Sequence, residues 1–109
     1  EIFGVEQFRD MVNADALSVV CFSAVWCGPC RNIQKDLEKM TYEFPEVQFL
    51  KVDADTNGDI VSKCRVSVLP TFMIVRQGQQ LDYVVGADVN ELKMKIRDRL
   101  SSSSQLSMQ

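Results

Sequence analysis

The sequence predicts an α/β fold in which a mixed sheet is covered by helices on both faces. Apolar, strand-like runs alternate with segments of helical periodicity as far as residue 64, and two further strand-like runs follow, joined by a turn that contains Gly78. Alternation demands a parallel portion flanked by helices, whereas the hairpin adds an antiparallel edge. The 109 residues suffice for one compact domain that buries a core without disulfide staples.

The first elements are a brief strand, a helix and a central strand. We expect the brief strand near Ile2, and the spacing of Phe8, Met11 and Val12 indicates the first helix. Residues 19–24 (VVCFSA) are short, mostly apolar and β-branched at their start. This composition predicts a fully buried central strand.

A second helix and a third strand follow. Spacings of three and four residues place one apolar face on Cys30, Ile33, Leu37, Met40 and Phe44. Pro45 ends this helix. Residues 47–53 (VQFLKVD) partly alternate and predict a strand.

The rest of the chain predicts a short helix, a hairpin and a closing helix. Turn residues at 56–58 precede the short helix, which carries Ile60, Val61 and Cys64. The hairpin strands are 71–76 and 81–85. Asp88 and Glu91 are spaced as a capping box before the closing helix. The prediction is thus five strands and four helices in a domain at 1–100, with a polar, disordered tail at 101–109.

Charge and hydropathy limit the classes of partner. The net charge is −3 and no cluster of Lys and Arg stands out, which argues against a nucleic-acid surface. No apolar run reaches the length of a membrane span, and no secretory signal is evident. We therefore expect a monomer without nucleic-acid or membrane partners, in the cytoplasm, with an organelle as the alternative.

Cys27 and Cys30 are separated only by a Gly-Pro pair, so the two thiols could hold a metal, lock the fold or exchange electrons. The chain has no histidine, and Cys21 and Cys64 do not form a second C-x-x-C, so a zinc site is disfavoured. A disulfide between such close residues closes too small a loop to stabilise folding much. Redox chemistry is the favoured interpretation, with neither metal nor cofactor.

The predicted strand-to-helix junction gives the two thiols different roles. Cys27 would lie at the start of the helix, where unpaired N–H groups and the helix dipole stabilise a thiolate and lower its pKa below about 8.5. Cys30 would lie one turn further, on the apolar face, which disfavours its charged form. We therefore expect Cys27 to be the more exposed, more acidic nucleophile and Cys30 the resolving thiol. Pro29 suits a first helical turn, and Gly28 would let a partner approach closely.

The string WCGPC at 26–30 and the segment Leu69-Pro70-Thr71 resemble the thioredoxin family over about Phe8 to Leu100. Lesser matches are Phe22, Ala24, Lys51, Asp53, Gly78 and Gly86-Ala87. The resemblance implies a thioredoxin fold, with a five-stranded mixed sheet and four helices. It also implies a cis bond at Leu69–Pro70.

The resemblance further implies an activity and a substrate surface. Such a protein is a thiol–disulfide oxidoreductase that reduces protein disulfides and is itself reduced by a thioredoxin reductase-type donor. Trp26, the Leu69-Pro70-Thr71 segment and Gly86-Ala87 would form an apolar rim around Cys27, with Gly28, Pro29 and Lys51 as support. The alternative function is a protein-binding module of the same fold with low redox turnover.

Two positions depart from the family pattern. The family has an Asp six residues before the first cysteine, where this chain has Cys21. Acid–base assistance to Cys30 is therefore in doubt, and Lys51 loses its usual carboxylate and could reach solvent or Asp53. The family also kinks the active-site helix with a proline, where this chain has Lys35, so we expect a straighter helix.

Two cysteines outside the motif each have two interpretations. Cys21 is either a small core residue on the central strand or a third redox thiol, and free cysteine is among the most buried residue types. Cys64 is either a core position facing the sheet or a surface thiol open to regulatory oxidation. We favour the core interpretation for both.

Overall fold

The computed structural model describes residues 2–107 of the chain, with side chains from residue 2 to residue 101. Four strands form one sheet, in the order β2-β1-β3-β4. Their bounds are Ser18–Ser23 for β1, Gln48–Asp53 for β2, Thr71–Arg76 for β3 and Gln79–Val85 for β4. β1 runs parallel to β2 and antiparallel to β3, and β4 is antiparallel to β3.

Within residues 2–107 the chain also forms five helices. Their bounds are Val5–Val12 for α1, Gly28–Asn32 for α2, Gln34–Glu43 for α3, Gly58–Lys63 for α4 and Val89–Ser107 for α5. Within residues 2–107, no helix combines the length and the apolarity needed to cross a bilayer.

The alternation of side chains along β1 divides the core between the two faces of the sheet. Val19 faces the core that α3 and α5 cover, and Val20 faces the core that α1 and α4 cover. The first core contains Met40 of α3, Leu92 and Ile96 of α5, and the two residues that flank α3, Ile33 and Phe44. The second core contains Val12 of α1 and Ile60 of α4. Since both faces are covered, β1 and β3 read as nearly continuous apolar runs.

The turn between β3 and β4 follows from local conformation. Gln77 and Gly78 have φ angles of 51° and 75°, the left-handed pair that a tight two-residue hairpin turn requires. The Gly78 N–H donates to the Val12 carbonyl, and the Gln77 N–H donates to the Ala14 carbonyl. The hairpin predicted around Gly78 is therefore confirmed, and its turn is attached to the end of α1.

The predicted fifth strand near Ile2 is wrong for the described residues. The Ile2 N–H donates to the Lys51 carbonyl at 2.8 Å, so the segment does lie beside β2. Gly4, at a φ of 95°, then turns the chain and α1 begins at Val5. The described residues before Gly4 form no ladder with β2, and the sheet has four strands within residues 2–107.

The prediction of a straighter active-site helix is also wrong. The helix is interrupted at Ile33, whose φ and ψ of −101° and 3° separate α2 from α3. Cys30 belongs to a small cluster at the end of the sheet, whereas Ile33 and Met40 pack in the large core under α3. Because of this interruption, α2 places Cys30 in the small cluster while α3 packs Met40 into the large core, and no proline is needed to separate them.

The closing helix begins where the sequence predicts and continues further. Asp88 accepts the Glu91 N–H at 3.0 Å, which is one half of a capping box, while the Glu91 carboxylate pairs with Lys95. The backbone is helical through Ser107, beyond the domain end expected at residue 100. Side chains from 102 onward and residues 108 and 109 lie outside the described part, so the division into domain and tail stays a prediction.

Substitution of Ile96 by Ala should lower the free energy of unfolding by about 2–5 kcal/mol, because Ile96 is fully buried in the core under α5 and a cavity would remain. The matched control is Met94→Ala on the same helix, since Met94 is 54% exposed and its truncation should change stability by less than about 0.5 kcal/mol. Urea unfolding of both variants measures the difference. Equal losses would mean that α5 does not pack as described.

Candidate active site

Cys27 and Cys30 lie where the central strand β1 leads into α2. Cys27 is the N-cap of α2, and its own N–H donates to the Ala24 carbonyl at 3.1 Å. Pro29 occupies the first turn of the helix, and Cys30 lies within it. The two cysteines form a disulfide across a Cα–Cα distance of 5.3 Å. The predicted placement of both thiols is confirmed.

The backbone at the start of α2 points a hydrogen-bond donor at the Cys27 sulfur. The Cys30 N–H donates to Cys27 Sγ at 3.2 Å. Both cysteines are only 4% exposed in the disulfide form, so the expected greater exposure of Cys27 is not present in this state. The order of exposure and acidity in the reduced protein stays a prediction.

The segment before β3 packs against the two cysteines. The Leu69–Pro70 peptide bond is cis, as the resemblance implies. Leu69 packs against the buried cluster of Ala24, Cys27 and Cys30. The Gly86 N–H donates to the Pro70 carbonyl at 2.8 Å, which joins the end of β4 to this segment.

The predicted rim residues therefore meet at one end of the sheet. Thr71 is buried at the start of β3, and its hydroxyl donates to the Val68 carbonyl at 2.6 Å. Ala87 is exposed beside Gly86. Thr71 is therefore a buried support of the rim, whereas Ala87 is part of its exposed surface.

Trp26 is 65% exposed and is held by a residue that sequence reasoning missed. Its Nε1–H donates to Asp55 Oδ2 at 2.9 Å. Asp55 follows β2, and because β1 and β2 are parallel, the turns that follow them lie together. The sequence signal that could have identified Asp55 is its position shortly after a predicted strand.

Three exposed valines were also missed, and no sequence pattern marks them: Val25, Val68 and Val85.

Cys30 also lines a groove on the side of β1 that faces β2. This groove, of about 400 Å³, lies between α3 and strands β1 and β2. Cys21, Ser23, Cys30 and Lys51 all line it. The strand order places it on the opposite side of β1 from the Leu69–Pro70 segment. Cys30 is thus bounded by the rim on one side and by this groove on the other.

Cys21 is partly a core residue and partly a groove residue. It packs against the core under α3 and α5, but it is less buried than Val20 and Phe22 beside it on β1. Burial raises the pKa of the Cys21 thiol to about 11, and the nearby Lys51 ammonium and a hydrogen bond from Ser23 only partly oppose this. At neutral pH Cys21 is therefore a neutral thiol.

Lys51 lies opposite Cys21 in the paired strands and is exposed to solvent. Of the two positions expected for the Lys51 side chain, the structure shows the one in solvent. No ion pair between Lys51 and Asp53 forms within residues 2–101. Its charge acts on Cys21 by lowering the thiol pKa against the larger effect of burial.

Cys64 is neither a fully buried core residue nor a fully exposed surface thiol. It caps the C-terminus of α4 and packs, half-buried, against the core under α1 and α4. Burial raises the pKa of its thiol, so the thiol is protonated at neutral pH. Across the described residues, no group of three or more Cys, Asp or Glu side chains is arranged to hold a metal ion.

Comparisons with known proteins agree with this geometry. The family model described as Thioredoxin matches residues 2–98. The chain is similar to mitochondrial thioredoxin-2 of Schizosaccharomyces pombe, with 42% identity over 95 residues that cover 84% of this chain and 71% of the relative.

Two solved structures show the same similarity. The crystal structure of thioredoxin from Trypanosoma brucei brucei is 53% identical, with a TM-score of 0.90, covering 92% of this chain and 88% of the other. Mitochondrial thioredoxin 3 from Saccharomyces cerevisiae, in its oxidised form, is 34% identical with a TM-score of 0.85, covering 89% and 92%.

Replacing Cys21 by Ala should remove a pH dependence of stability at alkaline pH. Between the usual thiol pKa of 9.0 and the folded value of about 11, the unfolded chain loses the Cys21 proton and the folded chain keeps it. The stability of the unsubstituted chain should therefore fall through this range, by up to roughly 2–3 kcal/mol.

Urea unfolding at about pH 8 and about pH 11 measures this fall in the unsubstituted chain, Cys21→Ala and Cys64→Ala. The fall should shrink most in Cys21→Ala. It should shrink less in Cys64→Ala, because burial also raises the pKa of the half-buried Cys64 thiol. A Cys21→Ala variant with the full alkaline fall would show that other groups cause it.

Proposed function

Because the chain belongs to the thioredoxin family and is a thiol–disulfide oxidoreductase, we propose that it works as a reductase of protein disulfides, with Cys27 as nucleophile and Cys30 as resolving thiol. The observation that carries the proposal is the Cys27–Cys30 disulfide at the start of α2, beside a rim that contains an exposed tryptophan. The pair can accept two electrons and two protons without a cofactor.

In the first step the Cys27 thiolate attacks one sulfur of the substrate disulfide. The Cys30 N–H that donates to Cys27 Sγ in the disulfide would stabilise the attacking thiolate, together with the dipole at the start of α2. A mixed disulfide forms between Cys27 and the substrate, and the other substrate sulfur leaves as a thiolate and takes up a proton from solvent.

In the second step Cys30 resolves the mixed disulfide. Its thiol loses a proton, and the resulting thiolate attacks Cys27 Sγ. The Cys27–Cys30 bond forms, the bond from Cys27 to the substrate breaks, and the second substrate sulfur leaves as a thiolate. The substrate gains two electrons and the protein becomes the disulfide seen here.

The rim supplies the contacts that hold a polypeptide substrate. The exposed ring of Trp26 offers apolar surface, and its bond to Asp55 limits its motion. We propose that the backbone of Leu69 and the Gly86-Ala87 segment receive an extended substrate strand through main-chain hydrogen bonds. A Cβ at Gly28 would meet nothing within 4 Å in this chain, so the space left by its missing side chain is open to the partner.

Position 21 carries no carboxylate that could accept the proton of the Cys30 thiol. The groove shared by Cys30, Cys21 and Lys51 gives solvent a route to Cys30, and the Lys51 ammonium would favour the thiolate. Cys21 itself is a poor base, because its thiol pKa of about 11 keeps it protonated. Lys51 and solvent water are thus the proposed aids to this step.

The chemistry also implies partners. The disulfide form needs a thiol-based electron donor, and by family likeness we propose a thioredoxin reductase. We also propose a cytoplasmic monomer, and the net charge of −3 argues against a nucleic-acid partner. Several relatives are mitochondrial, and a mitochondrial location is the alternative.

The unsubstituted chain should reduce a protein disulfide catalytically with dithiothreitol as electron donor, as followed by the turbidity of precipitating insulin chains. Cys30→Ser should lose this turnover. After reduction and removal of dithiothreitol it should accumulate the mixed disulfide on Cys27, because the serine hydroxyl cannot resolve it and no free dithiol is present. Cys27→Ser should neither turn over nor form the mixed disulfide.

Non-reducing gel electrophoresis and mass spectrometry identify the trapped species. Trapping on Cys30 in the Cys27→Ser variant would reverse the two assignments. A substrate that binds but is not reduced by the unsubstituted chain would favour the binding-module alternative.

Cys21→Asp should raise the rate of mixed-disulfide resolution near neutral pH, by at most about 10²-fold, since a carboxylate would then accept the Cys30 proton. It should also lower stability by about 1–3 kcal/mol, because it buries a carboxyl group. Cys21→Asn is the matched control, with similar shape and no ionisable group, and Cys21→Ala should keep nearly full activity.

Single-turnover reduction between about pH 6 and pH 9 separates these effects. An equal gain in Cys21→Asn would mean that polarity rather than proton transfer matters. Loss of turnover in Cys21→Ala would make Cys21 a working thiol.

A further inference from the structure

A second groove adjoins the rim, on the side of the sheet covered by α4. Its volume is about 390 Å³, and we define it as the α4–β4 groove by the residues Lys63, Arg65, Val68, Thr71, Tyr83 and Val85. Val68 and Thr71 flank the Leu69–Pro70 segment, and Val85 directly precedes Gly86. The groove therefore borders the rim.

The charge of the α4–β4 groove is positive in a chain whose net charge is −3. The charged side chains that line it are Lys63 and Arg65, and no carboxylate lines it. Within residues 2–101 neither cation has a carboxylate within 4 Å, whereas four basic residues of α5 pair with Glu43, Asp82 or Glu91. The two cations are thus available to a partner.

The walls of the groove are held by hydrogen bonds. The Tyr83 hydroxyl donates to the Cys64 carbonyl at 2.6 Å, which fixes the end of α4 to β4. The Val66 N–H donates to the Val61 carbonyl at 3.0 Å, and Arg65 between them has a φ of 58°. A site that is already formed loses less conformational freedom when a partner binds.

Apolar surface lies beside the cations. Val68 is 47% exposed and Val85 is 62% exposed, and both border the rim and the groove together. Exposed valines that line a positive groove favour a partner segment that combines apolar and acidic side chains.

We propose that the α4–β4 groove binds the acidic flank of a disulfide-bearing polypeptide substrate, with its carboxylates against Lys63 and Arg65. This rests on the proposed function and adds a preference among substrates to it. A strand advances about 3.3 Å per residue, so side chains two to four positions from the substrate cysteine lie roughly 7–13 Å along the chain from it, and we expect these positions to meet the groove. Such contacts act mainly on the rate of association and on its salt dependence.

The test uses synthetic peptides that each contain one cysteine and are joined in pairs by a disulfide. They carry Glu, Gln or Lys two to four positions from the cysteine, on either side. The rate constant for their reduction by the reduced chain is measured at low salt. The groove variant is Lys63→Gln with Arg65→Asn, since Asn tolerates the left-handed backbone at 65. The matched control is Lys35→Gln with Lys39→Gln, two exposed lysines of α3 on the other face of the sheet.

The groove variant should reduce the Glu peptides about 3- to 10-fold more slowly than the unsubstituted chain does, and the Gln peptides within about 2-fold. The control should leave both rates unchanged, and the preference for Glu over Gln should disappear at about 1 M salt. Equal slowing of all peptides, equal slowing by the control, or no slowing at all would overturn the groove assignment. Failure of the unsubstituted chain to reduce even the Gln peptides would instead refute the reductase function.

Discussion

The central strand β1 is the constraint on which the rest of the structure depends. It is hydrogen-bonded on both edges, to β2 and to β3, so its backbone polar groups are satisfied inside the molecule. Val19 and Val20 begin two separate cores on its two faces. Because β1 is fixed on four sides, the loop that follows it, and Cys27 within that loop, has a defined position.

The strand directions then assemble the rim. β3 is antiparallel to β1, so its first residue, Thr71, pairs with Phe22 near the end of β1. β4 is antiparallel to β3, so Val85 at its end pairs with Thr71. Three segments distant in sequence thus meet at Cys27, and no loop has to be long to reach it. The same pairing places the α4–β4 groove next to the rim.

The residue at position 21 connects the core to the chemistry. A thiol there packs into the core and stays neutral, with a pKa of about 11, so it avoids the cost of a buried carboxylate and gives up its use as a base. Lys51, which pairs with Cys21 across the two strands, therefore faces solvent and the groove rather than a buried carboxylate. Under the proposed mechanism, stability and proton transfer to and from Cys30 are in this way set against each other at one side chain.

What the sequence determined by itself was local: the periodicity of strands and helices, the turn at Gly78, the cap at Asp88 and the position of Cys27 at a helix start. These follow from backbone preferences and neighbouring side chains. The resemblance to a known family added the rim segments, and the structure places them together. Only the tertiary structure decided the interruption at Ile33, the hydrogen bond from Ile2 to Lys51 in place of a first strand, the anchor of Trp26 on Asp55, and the meeting of Lys63 and Arg65 with the exposed Val68 and Val85. Each of these depends on contacts between residues of different elements, and packing of that kind leaves no periodic trace in the sequence.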